Sequence, residues 1–292
     1  MRFRKYHSLG NDYIVLEAGL ERVTAELLRR VCDRHRGVGS DGVLIETAAV
    51  DADAGVRVFN PDGSEAETSG NGLRIFARYL HDLGRVGGVG LRVRTLAGVA
   101  VCDVLDGGRR VRVAMGCARF DADRSLTAEG FGVDDRAPGV GRPDEAVDLP
   151  LGDAYPTGWR YTAVSLGNPH VVVQVVGPTA ELAQRWGPAI ERDPRFPNRT
   201  NAQFVELVAV AHLRVAVWER GAGLTEASGS SACAAAAATR RLGRCAADVV
   251  VTMPGGDLTV TVGEDFAVAH TGPVAAVAQG ALAAELVAAG PG

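Results

Sequence analysis

The sequence predicts an α+β protein of two pseudosymmetric lobes, each a mostly antiparallel, barrel-like sheet around one central helix. Three observations predict it. The chain echoes itself at a near-constant offset. Each half carries short runs rich in β-branched residues that alternate apolar with polar, as half-buried strands do. Each half also has one Ser-Gly turn that runs directly into a helical pattern.

The echo has four parts in the same order. SLGNDYIVL from Ser8 and SLGNPHVVV from Ser165 lie 157 positions apart. DGVLIE from Asp41 matches NAQFVE from Asn201 at 160. VFNPDGSEAETSGNG from Val58 matches VWERGAGLTEASGSS from Val217 at 159. Both helical patterns stop at Leu-Gly-Arg, at Leu83-Gly84-Arg85 and Leu242-Gly243-Arg244, again 159 apart. Glycine there suits a helix C-cap. One match would be chance; four in order imply two copies of one fold.

In chain order, the first half offers strands at YIVLEA, VLIETA, VRVFN and LRVRTLAGVAVCDVL. Its helix follows the Ser69-Gly70 turn, with Leu73, Phe76, Ala77 and Leu80 on one face. The second half offers HVVVQVV, AQFVELVAVAHLRVAVW, DVVVTM and LTVTV, with its helix after Ser228-Gly229. Further helices are predicted near 23–34 and at the matching place near 179–187. Periodicity is lost in the Gly/Pro/Asp-rich stretch around 120–155, where the lobes are expected to join. The lobes are thus 1–120, with a tail from about 274–292 packing back on it, and 121–273.

Composition narrows the function. A net charge of −4 and a pI near 5.9 give no electrostatic footprint for nucleic acid. No run of 18 apolar residues supports a membrane span, and MRFRKYHSLGND lacks the apolar core of a secretory signal, so a cytoplasmic protein is expected. The five cysteines, 32, 102, 117, 233 and 245, are odd in number and form no CxxC pair. Neither a disulfide framework nor a metal site is indicated, and reduced, mostly buried thiols are expected.

Two equivalent lobes leave a cleft between them, which is a favoured ligand position. A glycine turn at a helix N-terminus presents backbone N–H groups and the positive end of the helix dipole to an anion. One such turn alone is an ordinary N-cap. Two copies flanked by polar residues point to a ligand, and a single carboxylate fits.

The blocks HSLGNDYIVLE, DRHRGVGSDGVLI, FNPDGSEAETSGNG, LGNPHVVV, FPNRTNAQF and ERGAGLTEASGSSACAA resemble those of the diaminopimelate epimerase family, in that family's order and over nearly the whole chain. The resemblance implies two pseudosymmetric lobes and a cofactor-free, metal-free isomerase that inverts an amino-acid α-carbon and often forms homodimers. In such enzymes two cysteines on opposite faces of the α-carbon remove and return its proton. Turn amides, here those of Gly70, Asn71, Gly229 and Ser230, hold the carboxylate and the charge that develops on it. Asn11, Asn60, Asn168, Asn201 and Arg220 match positions that bind the substrate's distal end. His170 and Glu219 match a polar pair that assists proton transfer.

The departures bear on the chemistry. Ser69 and Ser228 stand where the two cysteines belong. Gly42 replaces a common glutamine, Leu224 a usual acid, and Ile75 a frequent second cysteine. Three readings follow: a diverged isomerase whose base is Glu219 or His170, an epimerase with both cysteines exchanged for serine, or a non-catalytic amino-acid binder. The asparagines taken singly suit turns. As a set matching both the repeat and the family pattern, they suit a ligand. Asp12, Asp62 and Glu226 are expected to cap loops.

Overall fold

A computed structural model of the 292-residue chain describes residues 1–120 and 145–288. Most of the expected join, 121–144, lies outside the described residues. The chain divides into two compact units. One is Met1–Val113 with Gly272–Gly292; the other is Ala114–Thr271. Composition places the corresponding divisions at 120 and 273.

The first unit opens on an antiparallel hairpin of β1 (Arg2–Ser8) and β2 (Asn11–Glu17), with Tyr6 opposite Tyr13. Helix α1 (Ala25–Cys32) crosses over, so β3 (Val43–Thr47) pairs with β2 in parallel. Strand β4 (Ala54–Phe59) returns antiparallel to β3 and carries the short β5 (Glu65–Ala66). Helix α2 (Gly70–Asp82) makes the second crossover, placing β6 (Leu91–Thr95) parallel to β4, and β7 (Gly98–Leu105) closes back on β6. Strand β8 (Arg110–Cys117) follows.

In the second unit, β9 (Leu149–Pro150) precedes a step-for-step repeat of this scheme. The hairpin of β10 (Arg160–Ser165) and β11 (Pro169–Gln174) leads into α3 (Ala180–Glu191) and a β12 (Asn201–Ala209) parallel to β11. Strand β13 (His212–Glu219) returns antiparallel and carries β14 (Gly223–Thr225). After α4 (Gly229–Arg241), β15 (Asp248–Met253) lies parallel to β13 and pairs with β16 (Gly256–Val262). Strand β17 (Ala267–Pro273) adds to β16. The final strand, β18 (Ala275–Ala281), pairs with β1 in the first unit, and α5 (Ala284–Val287) follows it. The α+β class and the duplication predicted from the sequence are both present.

Each central helix is core. In α2, Leu73, Ile75, Phe76, Ala77 and Leu80 are buried. In α4, Ala232 to Ala238 are all buried, and the helix packs against β10, β11, β12, β13, β15 and β16. A helix apolar all round belongs inside a fold, and alanine side chains let strands approach it from several sides. Both helices end on a left-handed glycine, Gly84 with φ 67° and Gly243 with φ 69°. The next amides, of Arg85 and Arg244, bond back to Leu80 O and Thr239 O, each at 3.1 Å.

Helix α3 runs past the Gly187-Pro188 pair at which the sequence pattern stops, and continues to Glu191. Packing outweighs the breakers here. Gly187 lies so close to Trp218 that a Cβ would overlap that side chain, and Ile190 is buried. None of the five cysteines is in a disulfide; four are buried and Cys117 is exposed. Among the described residues, no helix is long and apolar enough to cross a membrane.

Candidate active site

Ser69 and Ser228 are the N-caps of α2 and α4, and their backbones agree closely: φ −145°, ψ 123° against φ −141°, ψ 125°. The first four N–H groups of a helix lack intrahelical acceptors. Ser69 Oγ takes that of Gly72 at 3.0 Å, and Ser228 Oγ takes that of Ser231 at 3.4 Å. The amides of Gly70 and Asn71, and of Gly229 and Ser230, precede these capped ones at the helix start. At Gly229 a Cβ would lie 2.7 Å from His270 Nε2, so glycine is required for the α4 turn to sit against that ring.

In the first unit, Tyr13 donates from its hydroxyl to Ser69 Oγ at 3.1 Å. Asn11 and Asn71 form a half-buried relay: Asn71 Nδ2 donates to Asn11 Oδ1 at 2.9 Å, and Asn11 Nδ2 donates to Asp41 at 3.0 Å. Asn71 Oδ1 in turn accepts from Arg74, whose Nε and Nη2 also donate to Ser8 Oγ at 3.0 and 2.8 Å. Asn60 sits in a turn of its own, with Nδ2 donating to Ser64 Oγ at 3.0 Å and Asp62 bracing the same serine. Asp12 is more than a loop cap, since it pairs with Lys5 and Arg34, each at 2.7 Å.

Burial alone would raise the Asp12 carboxyl, but the bonds from Arg34 and Lys5 outweigh it and hold the group below its usual range. A depressed carboxyl adds stability above its unfolded value, near 3.9. That stability is lost as pH falls through the folded one. Asp12→Asn is expected to cost on the order of 2 kcal/mol at neutral pH, the range for hydrogen bonds to charged groups. It should also flatten the acid side of the stability curve, which urea titrations between pH 3 and pH 7 would read.

In the second unit, the Glu219 carboxyl lies close enough to the Ser228 hydroxyl to be lowered by it. Packed surroundings raise this carboxyl above its usual range, and the nearby serine only partly opposes them. His170 is fully buried, with Nε2 2.9 Å from Asn168 Oδ1 and Nδ1 3.1 Å from Gln203 Nε2. Gln203 is a donor there, which assigns the imidazole proton to Nε2 and the bond to Asn168. Burial, with the charge of Arg220 adding to it, lowers His170 to about 3. The ring is therefore neutral at physiological pH, with both nitrogens engaged.

Gln203 also donates to Ser231 Oγ at 3.0 Å, tying this relay to the first turn of α4. Asn201 spends its amide on the backbone: Nδ2 donates to Pro169 O and Oδ1 accepts from Arg220 N, both at 2.9 Å. Arg220 itself donates to Asn198 O at 3.2 Å and makes no ion pair among the described residues. Its charge is available to an anion.

The structure thus brings Ser228 together with Glu219, and Asn168 with His170, and it joins Asn11 to Asn71. It keeps Asn60 in its own turn. It adds Tyr13 and Gln203, which sequence patterning presents as ordinary strand residues. The repeat offset of 157 that aligns Tyr13 with His170 is the signal that identifies the first.

Known proteins that resemble this chain include epimerases and isomerases. The comparisons give the family. A family model for diaminopimelate epimerase matches residues 3–120 and 162–277. Diaminopimelate epimerase 2 of Nostoc sp. (strain PCC 7120) is 41% identical over 99% of this chain and 98% of its own length. The diaminopimelate epimerase of Moorella thermoacetica is 40% identical over 96% and 98%. The chain belongs to the diaminopimelate epimerase family. Among solved structures, a probable proline racemase from Agrobacterium radiobacter K84 has a TM-score of 0.67 at 18% identity, covering 97% of this chain and 93% of its own. A methylitaconate-delta-isomerase has 0.61 at 14%, covering 96% and 95%. These two show the shared fold.

Proposed function

We propose that this protein is a cofactor-independent isomerase that removes and returns a proton beside the carboxylate of an amino acid or amino-acid-derived acid, and that its chemistry has diverged from diaminopimelate epimerisation. The contact between Ser228 and Glu219 carries the reading. The proposal assigns the carboxylate to the turn amides of Gly70, Asn71, Gly229 and Ser230. Arg220 supplies a cation for the substrate, and Asn168 and Asn201 position its surroundings. Ser69 and Ser228 carry protons, with Glu219 as the base behind Ser228.

The serine pair sets the substrate's chemistry. A thiol ionises near 8.5, and a serine hydroxyl is several units weaker. Each unit costs about 1.4 kcal/mol, so bare exchange of thiolate for alkoxide adds several kcal/mol to the barrier. Glu219 offsets part of this by taking the proton through Ser228, because a carboxyl raised toward neutrality is a better base than an ordinary one. His170, neutral and bonded at both nitrogens, holds Asn168 and Gln203 in place and is not the base. A C–H already acidified by conjugation suits this machinery better than the α-proton of a saturated amino acid. The remodelling around Gly42 supports divergence over a simple exchange of two residues, since the Tyr13 ring fills the space there.

The test is deuterium incorporation followed by proton NMR in D2O. The probes are diaminopimelate, methylitaconate and 4-hydroxyproline, the last after the ligand bound in a hydroxyproline epimerase structure from Agrobacterium vitis that shares the fold. Wash-in is expected for an activated carbon acid and not for diaminopimelate. Rapid α-deuteration of diaminopimelate would overturn the divergence. The double variant Ser69→Cys with Ser228→Cys is expected to gain little diaminopimelate epimerase activity. Strong activity there would instead mark an epimerase silenced by its two serines.

A further inference from the structure

We infer that Tyr13 is the proton relay of the first unit, acting through Ser69, and that Gly42 is the residue that admits its ring. This rests on the proposed function and assigns the partner that Ser69 otherwise lacks in that scheme.

Three observations meet at this point. Tyr13 is buried, 7% exposed, with its hydroxyl 3.1 Å from Ser69 Oγ and donating to it. The same oxygen accepts the Gly72 N–H at 3.0 Å. A hydroxyl oxygen has two lone pairs, so both acceptor positions of Ser69 are taken and its own O–H is left as a donor. Third, a Cβ on Gly42 would lie 2.5 Å from Tyr13 Cε1 and 2.7 Å from Phe59 O. No larger residue fits at 42 while the ring stands there. The residue aligned with Tyr13 in the other unit, His170, turns instead to Asn168 and Gln203. The two units therefore carry different proton carriers behind their serines: a carboxyl behind Ser228 and a phenol behind Ser69.

The chemistry balances. On the abstraction side, the substrate C–H breaks, its electron pair stays on carbon, and the proton reaches Glu219 as Ser228 passes its own proton on. On the return side, the Ser69 O–H breaks as a new C–H forms. The Tyr13 proton moves to Ser69 Oγ and leaves a phenolate. Glu219 and Tyr13 then regain their starting states by proton exchange with water. A phenol is ordinarily near 10, about 1.5 units above a thiol and well below an aliphatic alcohol. Relay through Ser69 thus makes a phenol, rather than an aliphatic alcohol, the final proton donor.

Tyr13→Phe keeps the ring and removes only the hydroxyl. The assay follows deuterium wash-in and isomer formation separately, in D2O, with diaminopimelate, 4-hydroxyproline and methylitaconate. In Tyr13→Phe, wash-in through Ser228 and Glu219 should persist within about threefold, while isomer formation falls by about 10²-fold or more. Ser69→Ala should show the same split. If both readouts fall together by one factor, or neither changes, Tyr13 is a packing residue and the inference is overturned while the proposed function stands. If the unaltered protein washes deuterium into none of the three probes, the proposed function fails and Tyr13's role fails with it.

Discussion

Glu219→Gln is expected to lower turnover by about 10²- to 10⁴-fold, the range that general acid–base catalysis supplies, and to make the protein more stable at neutral pH. Glutamine keeps the shape and can still accept from Ser228, but it takes no proton. The stability gain follows from the direction of the Glu219 shift. Its surroundings disfavour the charged form, so its carboxyl lies above the usual range in the folded state. Between the unfolded and folded values the native protein binds the extra proton, and stability falls as pH rises through that window. Above it the native protein holds a charge its surroundings oppose, and glutamine removes that charge. Activity should show a limb that rises with pH at a midpoint above that of an ordinary carboxyl. Initial rates from pH 4 to pH 9 and thermal melts of both proteins would check this. Unaltered turnover in the Glu219→Gln variant would remove Glu219 from the mechanism.

Arg74→Ala should cost about 3–5 kcal/mol, through the cavity left by a large buried side chain and the polar partners it strands. Arg74 is fully buried on α2 and bonds Ser8 and Asn71. Ser8 Oγ in turn donates to Pro273 O at 2.7 Å. Against a total of about 5–15 kcal/mol for a typical protein, such a loss is large. It also removes one partner of Asn71, whose amide belongs to the proposed carboxylate cradle, so substrate affinity should weaken in the folded fraction. Arg74→Met keeps most of the volume and should lose less. Urea unfolding would decide, and an alanine variant within about 1 kcal/mol of the parent would show that the relay contributes little.

The duplication is legible because both copies retain their turn chemistry. Ser-Gly starts the helix, Leu-Gly-Arg stops it, and a shared SLGN sequence connects the first two strands. Several strands lack such marks. Strand β18 is alanine-rich and exposed along its length, so it has no apolar face to display. Strands β1, β10 and β17 mix charged or polar residues into the run. Strand β8 does alternate, with Val111, Val113 and Met115 buried, and its signal lies in the sequence. The site divides in the same way. The serine caps follow from the repeat, because an N-cap is a local event. Tyr13 and Gln203 depend on strands coming together around helix starts far away in the chain. Asn60 aligns with Glu219, yet a local hydrogen bond to Ser64 holds it in its own turn, a competition decided within five residues.

The pairing of β1 with β18 has a consequence for synthesis. The first unit needs Ala275–Ala281 beside its opening strand, and in the chain those residues follow the second unit. The second unit, Ala114–Thr271, is complete in the nascent chain before they emerge. Domains commonly finish in the order in which they are made, N-terminal first. Here Arg2 pairs opposite Ala281, so the N-terminal unit cannot complete its sheet until the second unit has also been made.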